Sequence, residues 1–125
     1  MKKKIVCSPN APKAIGPYSQ AVIKGDTLYV SGQLPVNPET GELAQGIKDQ
    51  TRQSLSNIKA ILETAGTDFS RVCRVGVFMT DLVDFSAMNE IYATFFDGDY
   101  PARCCVQVAA LPMGAEVEIE VTADI

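Results

Sequence analysis

The stretch that decides the fold is GIKDQTRQSLSNIKAILETAG (residues 46–66), followed four residues later by RVCRVGVFMT (residues 71–80). In the first segment, apolar residues recur at three- and four-residue steps, which is typical of an amphipathic helix, and Gly66 is placed to end it in a left-handed conformation. These apolar positions are Ile47, Leu55, Ile58, Ile61, Leu62 and Ala65. The second segment is apolar at nearly every position, as in a central strand covered on both faces. Together they predict a helix packed on a sheet.

The flanking sequence adds further strands and a second helix. Residues 19–24 and 27–31 are rich in Val, Ile and Tyr, and the Gly25-Asp26 link between them suits a tight hairpin. Asp84 is placed to cap a second helix. We interpret the aromatic stripe of this helix as core; it consists of Phe85, Met88, Ile91, Tyr92, Phe95 and Phe96. Strands at residues 103–111 and 116–123, and a solvated strand start at Lys2-Lys3-Lys4, complete the prediction. The result is one α+β domain over residues 1–125, with a mixed six-strand sheet and both helices on one face.

Helices on a single face leave the other face of the sheet to water or to a second subunit. Strand residues on both candidate faces are apolar, which leaves little to be hydrated; they are Val106, Val108, Val117, Ile119 and Val121. We therefore predict a homo-oligomer built face to face.

Composition narrows the class of protein. The chain has 125 residues, 46% of them hydrophobic and 21% charged, values of an ordinary globular domain. Its 11 basic and 15 acidic residues, a formal net charge of −4, disfavour a nucleic-acid-binding surface. No apolar run approaches the length of a membrane span, so we expect no membrane partner and a cytoplasmic location.

The four cysteines and the absence of histidine limit the kinds of catalytic or metal site that we expect. Cys7, Cys73, Cys104 and Cys105 show neither paired CxxC spacing nor the density of a disulfide scaffold, so reduced thiols are expected. The chain contains no histidine. We therefore expect no metal site, no cofactor, and no cysteine nucleophile activated by an imidazole.

Arg103 is the first candidate binding residue, because it stands at the start of an otherwise apolar strand, ARCCVQVAAL (residues 102–111). A guanidinium is costly to bury unpaired, and its planar fork of N–H donors fits a carboxylate with two bonds. Strand alternation puts Arg103 and Cys105 on one side. The pattern indicates a site for a small carboxylate, although a strand-end arginine paired with a surface acid would give the same sequence.

Glu118 is the second candidate, in the acidic row Glu116, Glu118 and Glu120 of the last strand. If residues 112–115 form a simple hairpin, Glu118 lies opposite Ala109, roughly 20 Å along the strand from Arg103. Arg103 and Glu118 could then share a site only if different subunits contribute them. A solvated acidic row is the alternative.

Several long motifs, in order along the whole chain, resemble the Rid (YjgF-like) family. They are NAPKAIGPYSQA (10–21), SGQLPVNPETG (31–41), RQSLSN (52–57), PARCCV (101–106) and Glu118-Ile-Glu120. The resemblance implies a chorismate-mutase-like fold and a homotrimer whose sheets turn inward as a barrel, with sites at the subunit interfaces. The implied activity is hydrolysis of enamine and imine intermediates, such as 2-aminoacrylate, 2-iminopropanoate and 2-iminobutanoate, to 2-oxo acids and ammonia.

The same resemblance implies roles for individual residues. Arg103 would bind the substrate carboxylate, and Glu118 would hold and activate the water. The backbone around Cys105 and Gly32 would hold the reacting end, and the cleft would be lined by Tyr18, Ser31 and Asn89. An imine is already electrophilic, so the protein needs only to fix the substrate, to orient one water toward the C=N carbon, and to transfer protons as the amine leaves.

Two positions depart from the family pattern, and two other functions compete. Gln107 stands where many relatives carry an acid, and Cys104 where serine is common, which puts substrate preference in doubt. A carboxylate cleft could also serve a non-catalytic sensor or interaction protein that binds 2-oxo acids. A single-stranded RNA endoribonuclease is disfavoured by the acidic balance and the missing histidine.

Overall fold

The computed structural model describes residues 2–125, which form one layer of sheet covered by one layer of helices. The strands are β1 (Lys4–Val6), β2 (Ala21–Lys24), β3 (Thr27–Gln33), β4 (Val72–Met79), β5 (Ala102–Gln107) and β6 (Val117–Asp124). The helices are α1 (Ile47–Ala65) and α2 (Phe85–Ala93), with short 3₁₀ turns at Phe69–Arg71, Leu82–Asp84 and Pro112–Gly114. The prediction of an α+β domain with six strands and two helices is confirmed.

The sheet order is β1-β2-β3-β6-β4-β5. All neighbouring strands are antiparallel except β4 and β5, which are parallel and are connected through α2. The predicted hairpin at Gly25-Asp26 is present, with Lys24 opposite Thr27. Strand β5 lies at the edge of the sheet.

The expected hairpin between the last two strands is wrong. Strand β5 ends at Gln107 rather than Leu111, and β4 lies between β5 and β6. Phe78 of β4 pairs with Val106 on one side and with Glu118 on the other. Strands β4 and β5 are joined by a crossover through α2, because parallel strands cannot be joined by a tight turn.

Helix α1 supplies much of the core. Leu55, Ile58, Ile61 and Leu62 are fully buried, and they belong to one apolar cluster with residues of β4 and β6. The helix ends as predicted, at Gly66 with φ 85°. Glycine adopts this left-handed conformation without the steric cost that a Cβ would bring.

Helix α2 is shorter than its aromatic stripe indicated. It ends at Ala93, and Phe95 and Phe96 follow in a turn while still packing against Phe69, with ring centroids 5.4 and 5.3 Å away. Asp84 does stand at the N-cap, but its side chain makes no capping hydrogen bond.

The second face of the sheet is uncovered in the single chain. Val117, Ile119 and Val121 are at most 3% exposed because they face the helices, so they contribute nothing to that open face. Strand β4 is likewise buried on one face only, not on both as its composition indicated. Alternation leaves on the open face a mixture of apolar and acidic side chains, among them Tyr29, Val106, Glu118 and Glu120.

Among residues 2–125, no helix combines the length and the apolar character needed to cross a bilayer.

Candidate functional site

Arg103 lies on the helix side of edge strand β5, where three side chains of α2 contact its guanidinium. Its Nη1 donates a 2.7 Å hydrogen bond to Oδ1 of Asn89. Its Cζ lies 4.7 Å from the ring centroid of Tyr92 and 5.6 Å from that of Phe85. The side chain is half-buried, and none of the ion pairs within residues 2–125 includes it. A cation is therefore held in place without an anionic partner.

Cys105 is the neighbour of Arg103 on the same side of β5. Its Sγ lies 3.7 Å from Sδ of Met79, and the residue packs against the core. Burial raises the pKa of the Cys105 thiol, and the positive charge of Arg103 offsets only part of this effect. A thiol with a raised pKa is a poor nucleophile at neutral pH. Cys105 can therefore contribute its backbone and its volume, but not a thiolate.

Glu118 lies on the open face of the sheet, packed over a glycine. A Cβ placed on Gly32 would stand 2.9 Å from Cδ of Glu118, so the carboxyl group keeps its present position only because residue 32 has no side chain. Glu120 sits in the same way over Gly76, where a Cβ would lie 2.9 Å from its Oε1. The two carboxyl groups thus stand side by side, each in a space kept free by a glycine.

The pKa of Glu118 is raised, first by burial of the carboxyl group and second by the negative charge of Glu120. Burial disfavours the charged form, and a like charge adds to that effect. A carboxylate with a raised pKa is a better proton acceptor near neutral pH than an ordinary one. Glu118 is therefore suited to accept a proton from water.

A cleft of about 910 Å³ opens beside Glu118. Its lining includes four of the residues predicted for the site, Tyr18, Ser31, Gly32 and Glu118, together with Glu120. The Ser31 hydroxyl donates to the Ser19 carbonyl at 2.6 Å, and the Tyr18 hydroxyl accepts from the Ile15 N–H at 3.4 Å. The first bond attaches the arm before β2 to strand β3 at the edge of the cleft, and the second lies within the arm.

The predicted site residues thus form two half-sites on opposite faces of the sheet. We call Arg103, Cys105 and Asn89 the cationic half-site, and Tyr18, Ser31, Gly32 and Glu118 the acidic half-site. Asn89 does not line the 910 Å³ cleft but contacts Arg103. The register explains the separation: Val77 pairs with Cys105, whereas its neighbour Phe78 pairs with Glu118, and successive residues point to opposite faces. One chain alone does not bring Arg103 and Glu118 together.

Three residues at these half-sites were not singled out from the sequence. Glu120 was noted in the acidic row and in the Glu118-Ile-Glu120 motif but was given no role, although its two-residue spacing from Glu118 placed it on the same face. Tyr92 and Phe85 were assigned to the core. Their positions along the helix are the same whether a ring packs against an arginine or against a leucine, so the sequence spacing does not distinguish the two.

Gln107 lies outside both half-sites. Its Oε1 accepts a 2.9 Å hydrogen bond from the backbone N–H of Leu82, at the start of the 3₁₀ turn that leads into α2. A carboxylate at this position could accept the same bond. The departure from the family pattern therefore preserves an acceptor.

No group of three or more cysteine, aspartate or glutamate side chains in residues 2–125 is arranged to hold a metal ion.

Comparison with known proteins identifies the family. The family described as endoribonuclease L-PSP matches residues 8–125. The chain belongs to this family. A solved Rid-family protein from Yersinia pestis superposes with a TM-score of 0.97 at 48% identity, covering 99% of this chain and 100% of that one. The resemblance drawn from the motifs is therefore confirmed.

Family members with more specific names are also similar over nearly the full chain. The 2-iminobutanoate/2-iminopropanoate deaminase of Bos taurus is 47% identical over 122 residues, which are 97% of this chain and 89% of the relative. The crystal structure of Escherichia coli TdcF with bound serine has a TM-score of 0.95 at 47% identity, covering 98% of both chains. Deaminases and proteins named for an endoribonuclease thus share this fold, and the name of the family alone does not choose between them.

Proposed function

We propose that this protein hydrolyses reactive enamine and imine intermediates that carry a carboxylate, among them 2-aminoacrylate, 2-iminopropanoate and 2-iminobutanoate, to 2-oxo acids and ammonia. The observation that carries the proposal is the guanidinium of Arg103, which is half-buried, held by Asn89 and without an acidic partner in residues 2–125. A small carboxylate is the ligand that this arrangement fits best. The naming of the Bos taurus relative supports the same substrate class.

The reaction needs one water and no covalent intermediate on the protein. Arg103 binds the substrate carboxylate, and Glu118 orients a water against the C=N carbon and accepts one of its protons. The water oxygen bonds to that carbon while the nitrogen takes up a proton, giving a carbinolamine. A second proton then reaches nitrogen, the hydroxyl gives up its proton, and the C–N bond breaks to leave the 2-oxo acid and ammonia. An enamine first takes a proton at its terminal carbon and gives up one from its nitrogen, which makes it the imine.

We infer further that the working unit is a homotrimer in which Arg103 of one subunit faces Glu118 of the next. Two features support this inference. Strand β5, which carries Arg103, is a sheet edge, and an unpaired edge is commonly covered by another element or chain. The open face beside it exposes Tyr29 and Val106 by 49% and 39%. A neighbouring subunit on this edge would unite the two half-sites.

Mixing two inactive variants tests the shared site. We expect an equal mixture of Arg103→Lys and Glu118→Gln subunits, denatured and refolded together, to regain about a quarter of wild-type activity, because random trimers leave one interface in four with both wild-type halves. Each variant refolded alone is the control. Recovery absent from well-folded mixed trimers would place both halves in one subunit.

The proposed activity is tested by generating the imine in place. A dehydratase acting on serine or threonine supplies 2-aminoacrylate or 2-iminobutanoate, and loss of the imine is followed with and without this protein. We expect acceleration at substoichiometric protein. Unchanged decay at every protein concentration would rule out the deaminase.

A 2-oxo acid sensor is the second candidate function, because the cationic half-site would serve it equally. Binding of a 2-oxo acid without any acceleration of imine loss would favour the sensor.

The pH dependence of the rate should report on the carboxyl pair. Glu118 is active as a base only when ionised, so the rate falls as the pH drops through its raised pKa. Glu120→Gln removes the negative charge that contributes to this raised pKa. We therefore expect the acid limb of the kcat/KM profile to move to lower pH, while burial keeps part of the shift.

Glu116→Gln is the matched control for this measurement, because Glu116 has the same two-residue spacing from Glu118 but does not contribute to its pKa. An acid limb that stays in place in Glu120→Gln, or moves equally in both variants, would contradict the proposed base.

A further inference from the structure

One face of α2 presents three side chains to the guanidinium of Arg103. Phe85, Asn89 and Tyr92 are spaced four and three residues apart, which places them in one row on a helix. Asn89 accepts a hydrogen bond from Nη1, and the two rings lie on either side of that amide along the row. Tyr92 is the closer ring, at 4.7 Å from Cζ.

The hydroxyl group of Tyr92 is buried and makes no hydrogen bond of good geometry within residues 2–125. Tyr92 is 5% exposed, and its hydroxyl is the one buried side-chain nitrogen or oxygen without a hydrogen-bond partner in the part of the chain that the structure describes. Leaving a buried hydroxyl unpaired is unfavourable. Burial raises the pKa of this hydroxyl, and the nearby guanidinium of Arg103 offsets part of that rise. The ring of Tyr92 contacts Arg103 on one side and Phe96, at a centroid distance of 4.9 Å, on another.

A guanidinium stacked on a ring keeps the N–H donors in its own plane free for other partners. Arginine is attracted to the face of an aromatic ring, and the attraction is larger where water is excluded. Because Nη1 of Arg103 already donates to Asn89, the ring and the amide together restrict the directions of the remaining N–H donors of Arg103. Neither contact neutralises the positive charge.

We propose that Tyr92 is a positioning residue whose aromatic ring holds the guanidinium of Arg103 ready for a ligand carboxylate. The proposal rests on the proposed function for the identity of that ligand. It assigns the role to the ring and not to the hydroxyl group. The effect should therefore appear in ligand affinity and KM, not in kcat.

Three variants distinguish the effect of the Tyr92 ring from the effect of its hydroxyl and from a general loss of core packing. Tyr92→Leu removes the ring, and we expect it to raise both KM for the imine and Kd for 2-oxobutanoate about tenfold, with kcat nearly unchanged. Tyr92→Phe keeps the ring, and we expect KM and Kd within about twofold of wild type. Phe96→Leu is the matched control, because it removes a ring that packs on Tyr92, whereas the rings that face the Arg103 guanidinium are those of Phe85 and Tyr92.

The Kd of 2-oxobutanoate is measured by calorimetry, so this arm remains informative even if the protein does not accelerate imine loss. A Tyr92→Leu variant with wild-type Kd and KM would overturn the proposal. So would a Tyr92→Phe variant as impaired as Tyr92→Leu, which would assign the role to the hydroxyl, or an equal rise in Phe96→Leu.

If Tyr92→Leu does not fold, Phe85→Leu replaces it. Phe85 is 38% exposed and its ring lies 5.6 Å from Cζ of Arg103, so its loss should leave the fold intact and raise Kd about threefold. An unchanged Kd in folded Phe85→Leu, together with loss of binding in Tyr92→Phe, would overturn the proposal.

Discussion

Arg103→Lys should lower kcat/KM for 2-iminobutanoate roughly 100-fold while the protein keeps its fold and melting temperature, since a bidentate charge-assisted pair is worth about 3 kcal/mol. A lysine keeps the charge but cannot offer two parallel N–H donors in one plane. It also loses the planar group that lies 4.7 Å from the Tyr92 centroid, and its single ammonium group cannot bond Asn89 and a carboxylate in the same way.

The measurement is a coupled imine-loss assay, with circular dichroism to verify the fold. Arg71→Lys is the matched control: Arg71 pairs with Asp124 at 2.6 Å on the surface, away from both half-sites, so the same chemical change there should leave the rate unchanged. Near-normal turnover by folded Arg103→Lys would refute the carboxylate-binding role. Equal losses in both variants would mean that general positive charge, and not this fork, matters.

Glu118→Gln should slow hydrolysis roughly 1,000-fold while a 2-oxo acid still binds with near wild-type affinity, because general-base catalysis contributes about 100- to 10,000-fold. Glutamine is close to glutamate in shape and fits the space over Gly32, so the fold should be unaffected. It can hold a water but cannot accept its proton.

Single-turnover imine loss and calorimetric binding of 2-oxobutanoate separate the two effects. Glu63→Gln is the control, because Glu63 forms an exposed pair with Lys59 on α1, away from both half-sites, and should show wild-type values for both. Loss of 2-oxo acid binding in Glu118→Gln would make this residue a binding or structural group. An unchanged hydrolysis rate would remove Glu118 from the mechanism and require another proton acceptor.

The amphipathic helix, and which side chains of one strand share a face, could be predicted from the sequence because both depend on local backbone geometry. Three- and four-residue steps placed α1 correctly and Gly66 ends it. Two-residue alternation correctly put Arg103 with Cys105. For the same reason, the glutamates at 118 and 120 share a face.

The strand order could not be predicted in this way. Pro112-Met113-Gly114 resembles a tight turn, and a hairpin is the shortest way to pair the strands on either side of it. Val117, Ile119 and Val121 instead pack under the helices, and β6 lies in the middle of the sheet between β3 and β4. Burial of a long apolar strand against α1 outweighs the shorter connection, and that balance depends on residues distant in the sequence.

The sequence by itself determined which side chains accompany one another: a guanidinium with a thiol on one strand, and two carboxyl groups on another. Only the tertiary structure decided that these pairs lie on opposite faces of the sheet, and that Arg103 rests against Asn89 and Tyr92. The physical reason is that alternation along a strand is set by local backbone geometry. Which face receives the helices, and which strands become neighbours, is set by nonlocal burial.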